Sequence, residues 1–520
     1  MGLQKQREDA YHEHYEAGQH EVGNVYEDLN PKPSDDPRDP LNWPLGLKIA
    51  CLLQVALLAG LGGVNTAIIN PAYTPMAKEL GISVVRASYQ TTIVIAINGV
   101  GPFLFIPLAN VYGRRPLYLF CTALGFGTSL ACAYVKTFSQ LLAARAFNGL
   151  MPVAFALGAA TVVDLFFFHQ RGRAMGVYVM IMTNGSHLAP IVGGLTGQYL
   201  GWRWCFKMAA IFDAVMFVVI FLCLPETLYV RYPSRAPPVE RPRLGLLVYL
   251  HQLRPWTTHP DLKLKATDFV LPNLKMLKYP SVIFPALYYA SQYGFASILP
   301  AVTVASIFKE FFHWDTLQIG LAYGGSLTIG SFLGELCAGW VVDAIVKREK
   351  LKLGGRDPEP EVRLKAIWTG EVLVPTGLLI YGPNPFLRSM DDADRLPGFC
   401  LQYHTVWIAP ILGMGIACFG LQVITTTCYT YSIDCYRREG SEVSQLFNFF
   451  RQEIGMTFAF YVIHLADAIG YQWTFFFFAC MGSILGVSIP KIIFIRAGTG
   501  ADYHSVHPNR NPDVEGKGHP

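Results

Sequence analysis

Apolar runs of about twenty residues, separated by short polar breaks, fill the chain from position 46 onward. A helix rises about 1.5 Å per residue, so roughly 20 such residues cross the hydrocarbon core of a bilayer. On that rule the pattern predicts twelve spanning helices, near 46–68, 88–110, 115–135, 138–163, 174–200, 203–224, 281–307, 317–346, 364–382, 402–432, 442–468 and 472–495. Several contain Pro or Gly, which membrane helices tolerate because their neighbours satisfy the freed backbone groups. The predicted fold is an all-α membrane protein of two six-helix bundles, at 46–224 and 281–496. A cytosolic connection at 225–280 joins them, and polar cytosolic tails at 1–45 and 497–520 flank them.

An internal repeat supports the division. Ile106-Pro107-Leu108-Ala109-Asn110-Val111-Tyr112-Gly113-Arg114-Arg115 follows the second span, and Gly339-Trp340-Val341-Val342-Asp343-Ala344-Ile345-Val346-Lys347-Arg348 closes the eighth. Asp343 lies 233 positions after Asn110, and Ser281 lies 233 after Lys48 at the start of the first span. One register relates both pairs, as a parallel duplication of six spans would give.

Charge sets the orientation. Connections after the even-numbered spans hold 22 Lys and Arg, against eight in the opposite loops. Basic loops stay on the cytoplasmic side, so both termini are expected there. The first forty residues carry ten acids and four bases without an apolar run, which reads as a disordered tail. No basic and apolar leader precedes the first span. Charged residues make up 15% of the chain and hydrophobic ones 52%, which excludes an ordinary soluble enzyme. The net charge of +4 gives no reason to expect nucleic acid. The eleven cysteines show no metal or disulfide spacing. No G-x-x-x-x-G-K-[S/T] loop, G-x-S-x-G elbow or in-span metal pair is present, so neither ATP hydrolysis nor another catalysis is expected.

These motifs carry a family resemblance. Leu108, Ala109, Gly113, Arg114 and Arg115 match the cytoplasmic signature of the major facilitator superfamily, with Ile106 in place of its Gly and Asn110 in place of its Asp. Arg145-Ala146-Phe147-Asn148-Gly149 is similar to the superfamily's R-x-x-q-G motif. Gly185 to Gly194, with Pro190 and Gly193, resembles the fifth-helix motif of drug/proton antiporters. Leu224-Pro225-Glu226-Thr227 ends the sixth span as in many relatives. Together with Asp39-Pro40-Leu41-Asn42-Trp43-Pro44, these resemble fungal members of the twelve-span drug/proton antiporters. The resemblance implies a monomeric secondary transporter in the cell membrane or an organelle membrane. It needs no cofactor beyond a proton gradient, and its partners are a small molecule, protons and lipid. Export of a fungal metabolite or drug is the first expectation, and uptake of a cation, polyamine or other nutrient the alternative.

Ionisable residues inside spans are costly and mark function. Arg145 and the acids Asp213, Glu335 and Glu453 are therefore the candidates for proton coupling, with no ground in the residues for choosing one acid. Glu453 falls about 17 Å into its helix, near the midplane, with Arg451 on another face. Small residues four apart at Gly185, Ala189, Gly193 and Gly197, and at Gly320 and Gly324, let helices approach closely. The resemblance implies that the fifth and eighth helices slide there. It also implies that the acid of the cytoplasmic signature latches one conformation; because that position is Asn110 in the first half and Asp343 in the second, the latch is expected to be asymmetric, with the charged version on Asp343 facing the fifth helix near Arg171 and Arg173. Candidate cavity residues are Asn65, Gln90, Asn98, Asn184, Tyr289, Gln292, Gln422 and Asn448.

Overall fold

A computed structural model describes residues 34, 36–229, 249, 252–253, 264–265, 269, 271–354, 360–381, 407–436 and 440–498. The predicted tails and the connection at 225–280 lie largely outside the described residues. The first six spans are Leu45–Ala67, Val84–Tyr112, Arg114–Tyr134, Phe138–Asn148 continued by Ala154–Leu165, Phe168–Tyr199 and Trp202–Cys223. The second six are Pro280–Tyr293 continued by Leu299–Phe312, Thr316–Lys352, Ile367–Tyr381, Ile408–Cys435, Gly440–Ile469 and Tyr471–Gly498. Among the described residues, seven helices are long and apolar enough to cross a membrane by composition alone.

Local chemistry explains the ends and the two interruptions. Ser83 accepts from the Arg86 N–H and starts the second span, while Thr137 with Gln140 and Asp315 with Gln318 form capping boxes. Gly113 joins the second and third spans at φ 102°, a conformation that a side chain would strain. The fourth span was expected to run unbroken, and it breaks after Asn148 because Pro152 has no N–H for the Asn148 carbonyl. That carbonyl takes the Met151 N–H at 3.0 Å instead, as a tight turn. In the seventh span, Pro300 likewise removes a donor, and the helix widens into a π-turn at Gly294–Ile298.

Each bundle has its own apolar interior, one around Val55, Tyr118 and Leu157, the other around Tyr288, Leu327 and Phe447. Large apolar side chains on the outside (Leu57, Phe120, Val215, Ile329, Leu336 and Trp340) are more than half exposed, as a surface facing lipid requires. The first span packs on the fifth, the third on the sixth, the eighth and ninth on the tenth, and the ninth on the twelfth. The bundles meet where the fifth packs on the eighth and the second on the eleventh. The end carrying Arg114, Asp164, Arg171 and Lys347 is called the basic end below.

Candidate functional site

Two main seams join the bundles, with smaller contacts where the seventh span meets residues 70–80 and the second span, and where the fourth meets the eleventh. At the fifth–eighth seam, a Cβ built on Gly194 would stand 2.9 Å from the Thr316 carbonyl oxygen and 3.0 Å from Gly320 Cα. A Cβ on Gly324 would stand 2.8 Å from the His187 carbonyl oxygen, and one on Gly320 would collide with the Pro190 carbonyl. The glycines of the fifth span divide by face: Gly185 and Gly193 press on Gly60 and Ile68 of the first span, and Gly194 presses on the eighth. Contacts at this seam lie near Tyr199 and Thr316, away from the basic end. The second–eleventh seam runs from Tyr89 against Phe460, through the Asn98 carbonyl accepting from Asn448 at 3.4 Å, to Phe103 edge-on to Phe449. Phe103 is nine residues, or about 13 Å, short of the basic end of its helix.

Arg451 and Glu453 sit on the eleventh span beside this seam. The Arg451 guanidinium lies 5.5 Å from the ring centre of Phe155, on the fourth span, and 5.1 Å from that of Tyr293, on the seventh. It donates to Asn448 Oδ1 at 2.8 Å, and its Nε is buried without a protein partner. Tyr289, Tyr429 and Phe447 continue the aromatic wall, with ring centres 4.6–6.1 Å apart. Glu453 points the other way, to the second span. A Cβ on Gly99 would collide with its Oε1, an oxygen buried without a hydrogen-bond partner. Glycine at 99 is thus what lets a carboxylate lie between the two bundles.

The other predicted residues fall in separate places. Arg145 is 1% exposed and donates to the Asn65 and Thr66 carbonyls at 2.7 and 3.2 Å, where the first span ends. It also donates to Asn148 Oδ1 at 3.0 Å. Asn148 donates to Ser129, and Ser129 and Asn65 both donate to Asp213. Asp213 is fully buried behind the first span, within the first bundle. Gln292 turns outward to the Gly482 carbonyl on the twelfth span, Gln422 bonds Ser331 on the eighth, and Gln90 bonds its neighbour Thr91. Asn184 bonds within its own helix to the Met180 carbonyl, leaving Oδ1 unpartnered. Glu335 is half-buried against the tenth span, beside Thr426. Of the eight cavity candidates, only Asn98, Tyr289 and Asn448 gather around Arg451. Among the described residues, no group of three His, Cys, Asp or Glu is placed to hold a metal.

At the basic end, Asn110 and Asp343 are exposed. The neighbouring arginines are engaged. Arg114 pairs with Asp164 at 2.6 Å, and both Glu226 oxygens accept from the first N–H groups of the third span, Arg114 at 2.9 Å and Arg115 at 3.0 Å. Carboxylates favour that position because the helix start presents unpaired N–H groups and partial positive charge. Arg115 donates to the Phe221 and Leu253 carbonyls. The Glu226 N–H donates to the Gln252 carbonyl, and the Gln252 amide to the Arg38 carbonyl. Glu226 was legible only as part of a motif, not as a cap. Arg451 is not among the site residues the sequence pattern predicts, although an arginine two positions from a midplane acid is itself a signal.

The Major Facilitator Superfamily model matches residues 55–460. The chain is 26% identical to the MFS-type transporter penM of Penicillium rubens, over 81% of this chain and 79% of that protein. It is 25% identical to the efflux pump radE of Floropilus chiversii (88% and 82%) and 27% identical to the efflux pump vrtL of Penicillium aethiopicum (91% and 87%). Its fold is similar to that of a bacterial homologue of the human lysosomal transporter Spinster in an inward-facing, unoccupied conformation. The TM-score is 0.54 at 13% identity, over 87% of this chain and 97% of that one.

Proposed function

The chain belongs to the major facilitator superfamily of membrane transporters, and from that premise we propose that it is a proton-coupled antiporter exporting a small organic compound by alternating access. The observation that carries this reading is the placement of Glu453. It is the one candidate acid that lies on a seam between the bundles, with Oε1 against Gly99 and no hydrogen-bond partner. A carboxylate at a moving contact changes its surroundings when the contact opens. It can then bind a proton in one conformation and release it in the other. Asp213 sits inside one bundle with its partners fixed, so rocking leaves its surroundings unchanged. The glycine seam at 194 and 320 supplies a close, low-friction contact for such rocking. The efflux relatives favour export, and the basic loops favour cytosolic termini.

The test uses purified protein in liposomes with an imposed pH gradient, following proton flux as metabolites, drugs and polyamines are added. Protons moving opposite to the added compound, lost in Glu453→Gln and kept in Asp213→Asn, are expected. Protons moving together with a polyamine or cation would make the protein an importer and overturn the proposal.

A further inference from the structure

We propose that Arg451 is the anion-recognising group of the cargo site, so that the transported compound is an organic anion with a flat aromatic body. The inference rests on the transporter reading above and names its cargo class.

Arg145 and Arg451 both lie well inside a span, and their surroundings differ. Arg145 gives its terminal N–H groups to two backbone carbonyls at the fixed end of the first span and to the Asn148 side chain; its Nε, like that of Arg451, is buried without a partner. Arg451 is held by side chains alone, Asn448 Oδ1 and the Tyr289 hydroxyl, and no backbone carbonyl among the described residues fixes it. Among the described residues no carboxylate pairs with it, whereas Arg114 has Asp164 and Arg363 has Asp434. The adjacent acid, Glu453, faces Gly99 on the other side of the helix. A cation without a counter-ion at this depth is costly. The faces of Phe155 and Tyr293 offset part of that cost.

The remaining compensation is what an anionic cargo supplies. A guanidinium presents paired N–H donors that match a carboxylate or similar delocalised anion in two parallel hydrogen bonds. The rings beside it come from different spans of both bundles (Phe155 from the fourth; Tyr289, Tyr293, Tyr429 and Phe447 from the seventh, tenth and eleventh). They form walls on which a flat apolar body can stack. A cationic cargo would meet repulsion from Arg451 at the same place. Exchanging a monoanion outward for a proton inward moves two charges in the same electrical sense, so the membrane potential drives the exchange as well as the pH gradient.

The experiment measures equilibrium binding to the purified full chain of three probes that share a ring system: 2-naphthoate, neutral 2-naphthamide and cationic 2-naphthylmethylammonium. The wild type should bind the carboxylate at least about tenfold more tightly than either analogue. Arg451→Gln should erase that preference, and Arg451→Lys should keep part of it, because a point charge replaces the paired donors. Thermal unfolding of each variant verifies that it is folded. Equal binding of amide and carboxylate, no carboxylate binding at millimolar concentration, or an undiminished preference in folded Arg451→Gln overturns the proposal. The two levels separate in liposomes. Carboxylate selectivity without proton flux keeps the anion site and removes the antiport reading. Proton-coupled flux of a cation that survives Arg451→Gln keeps antiport and removes the anion site.

Discussion

The seam between the fifth and eighth spans makes a quantitative demand on Gly320. A Cβ there would stand 2.8 Å from Gly194 Cα and collide with the Pro190 carbonyl, whereas ordinary contact begins at 3.4 Å. Gly320→Ala therefore forces the two backbones apart by at least 0.6 Å, the difference between those distances. Neither neighbour can swing away, since both are backbone. Overfilling a tight contact costs about 1–3 kcal/mol. The gain in helix propensity, about 1 kcal/mol for Gly to Ala, is present in every conformation and cancels from their ratio. If this seam opens when the basic end closes, the penalty falls on the described conformation alone. The population should then shift by about 5- to 150-fold towards closure of the basic end. Spin labels at Tyr112 and Lys347, both exposed near that end, would report it as a shorter distance in pulsed EPR. Cys223 and Cys480, also exposed, would be replaced first. Gly325→Ala is the control, having nothing within 4 Å of its added methyl. An unchanged distance distribution in folded Gly320→Ala, or an equal shift in Gly325→Ala, would refute the reasoning.

Three other substitutions probe the remaining sites. Glu226→Ala leaves the Arg114 and Arg115 N–H groups without their acceptors and should lower stability by about 2 kcal/mol, read as a reduced unfolding temperature, with Glu226→Gln losing less. Asp213→Asn keeps an acceptor for Asn65 and should transport nearly as well as the wild type. Asp213→Leu leaves an Asn65 N–H without its acceptor in the buried network and should express poorly; failure of transport in well-folded Asp213→Asn would instead make Asp213 a proton carrier. Asp343→Asn should reduce transport rate more than Asn110→Asp while leaving unfolding temperature unchanged, because both side chains are exposed here; equal rates would remove the asymmetric latch.

Span positions were legible because the bilayer imposes a length on every apolar run. Predicted and observed ends of the first, third and sixth spans differ by one residue. The break after Asn148 and the π-turn at Gly294 were not, since Pro152 and Pro300 resemble the prolines at 102 and 107 that the second span absorbs without interruption. Small-residue spacing located the fifth–eighth seam, yet could not tell that Gly193 and Gly194, adjacent in sequence, press on different helices. Side-chain direction was the hardest property to read. A helix apolar on most of its circumference carries no stripe to fix its rotation. Gln292 and Gln422 thus looked as suited to the cavity as Asn448, and only packing turns them towards Gly482 and Ser331.

The carbonyl-bound Arg115 and the Gln252 clasp change what the covalent link between the bundles can do. Because 252 and 253 are fastened to the first bundle, the covalent path from that bundle to the next helix runs only from Leu253 to Leu271. Eighteen peptide steps, at about 3.3–3.6 Å each, can reach roughly 60 Å, far beyond any displacement that rocking helices need. A tether of that contour length sets only an outer limit on how far the bundles can separate. On the proposed alternating-access reading, the balance between the two states is then set by the contacts of the seams between the bundles.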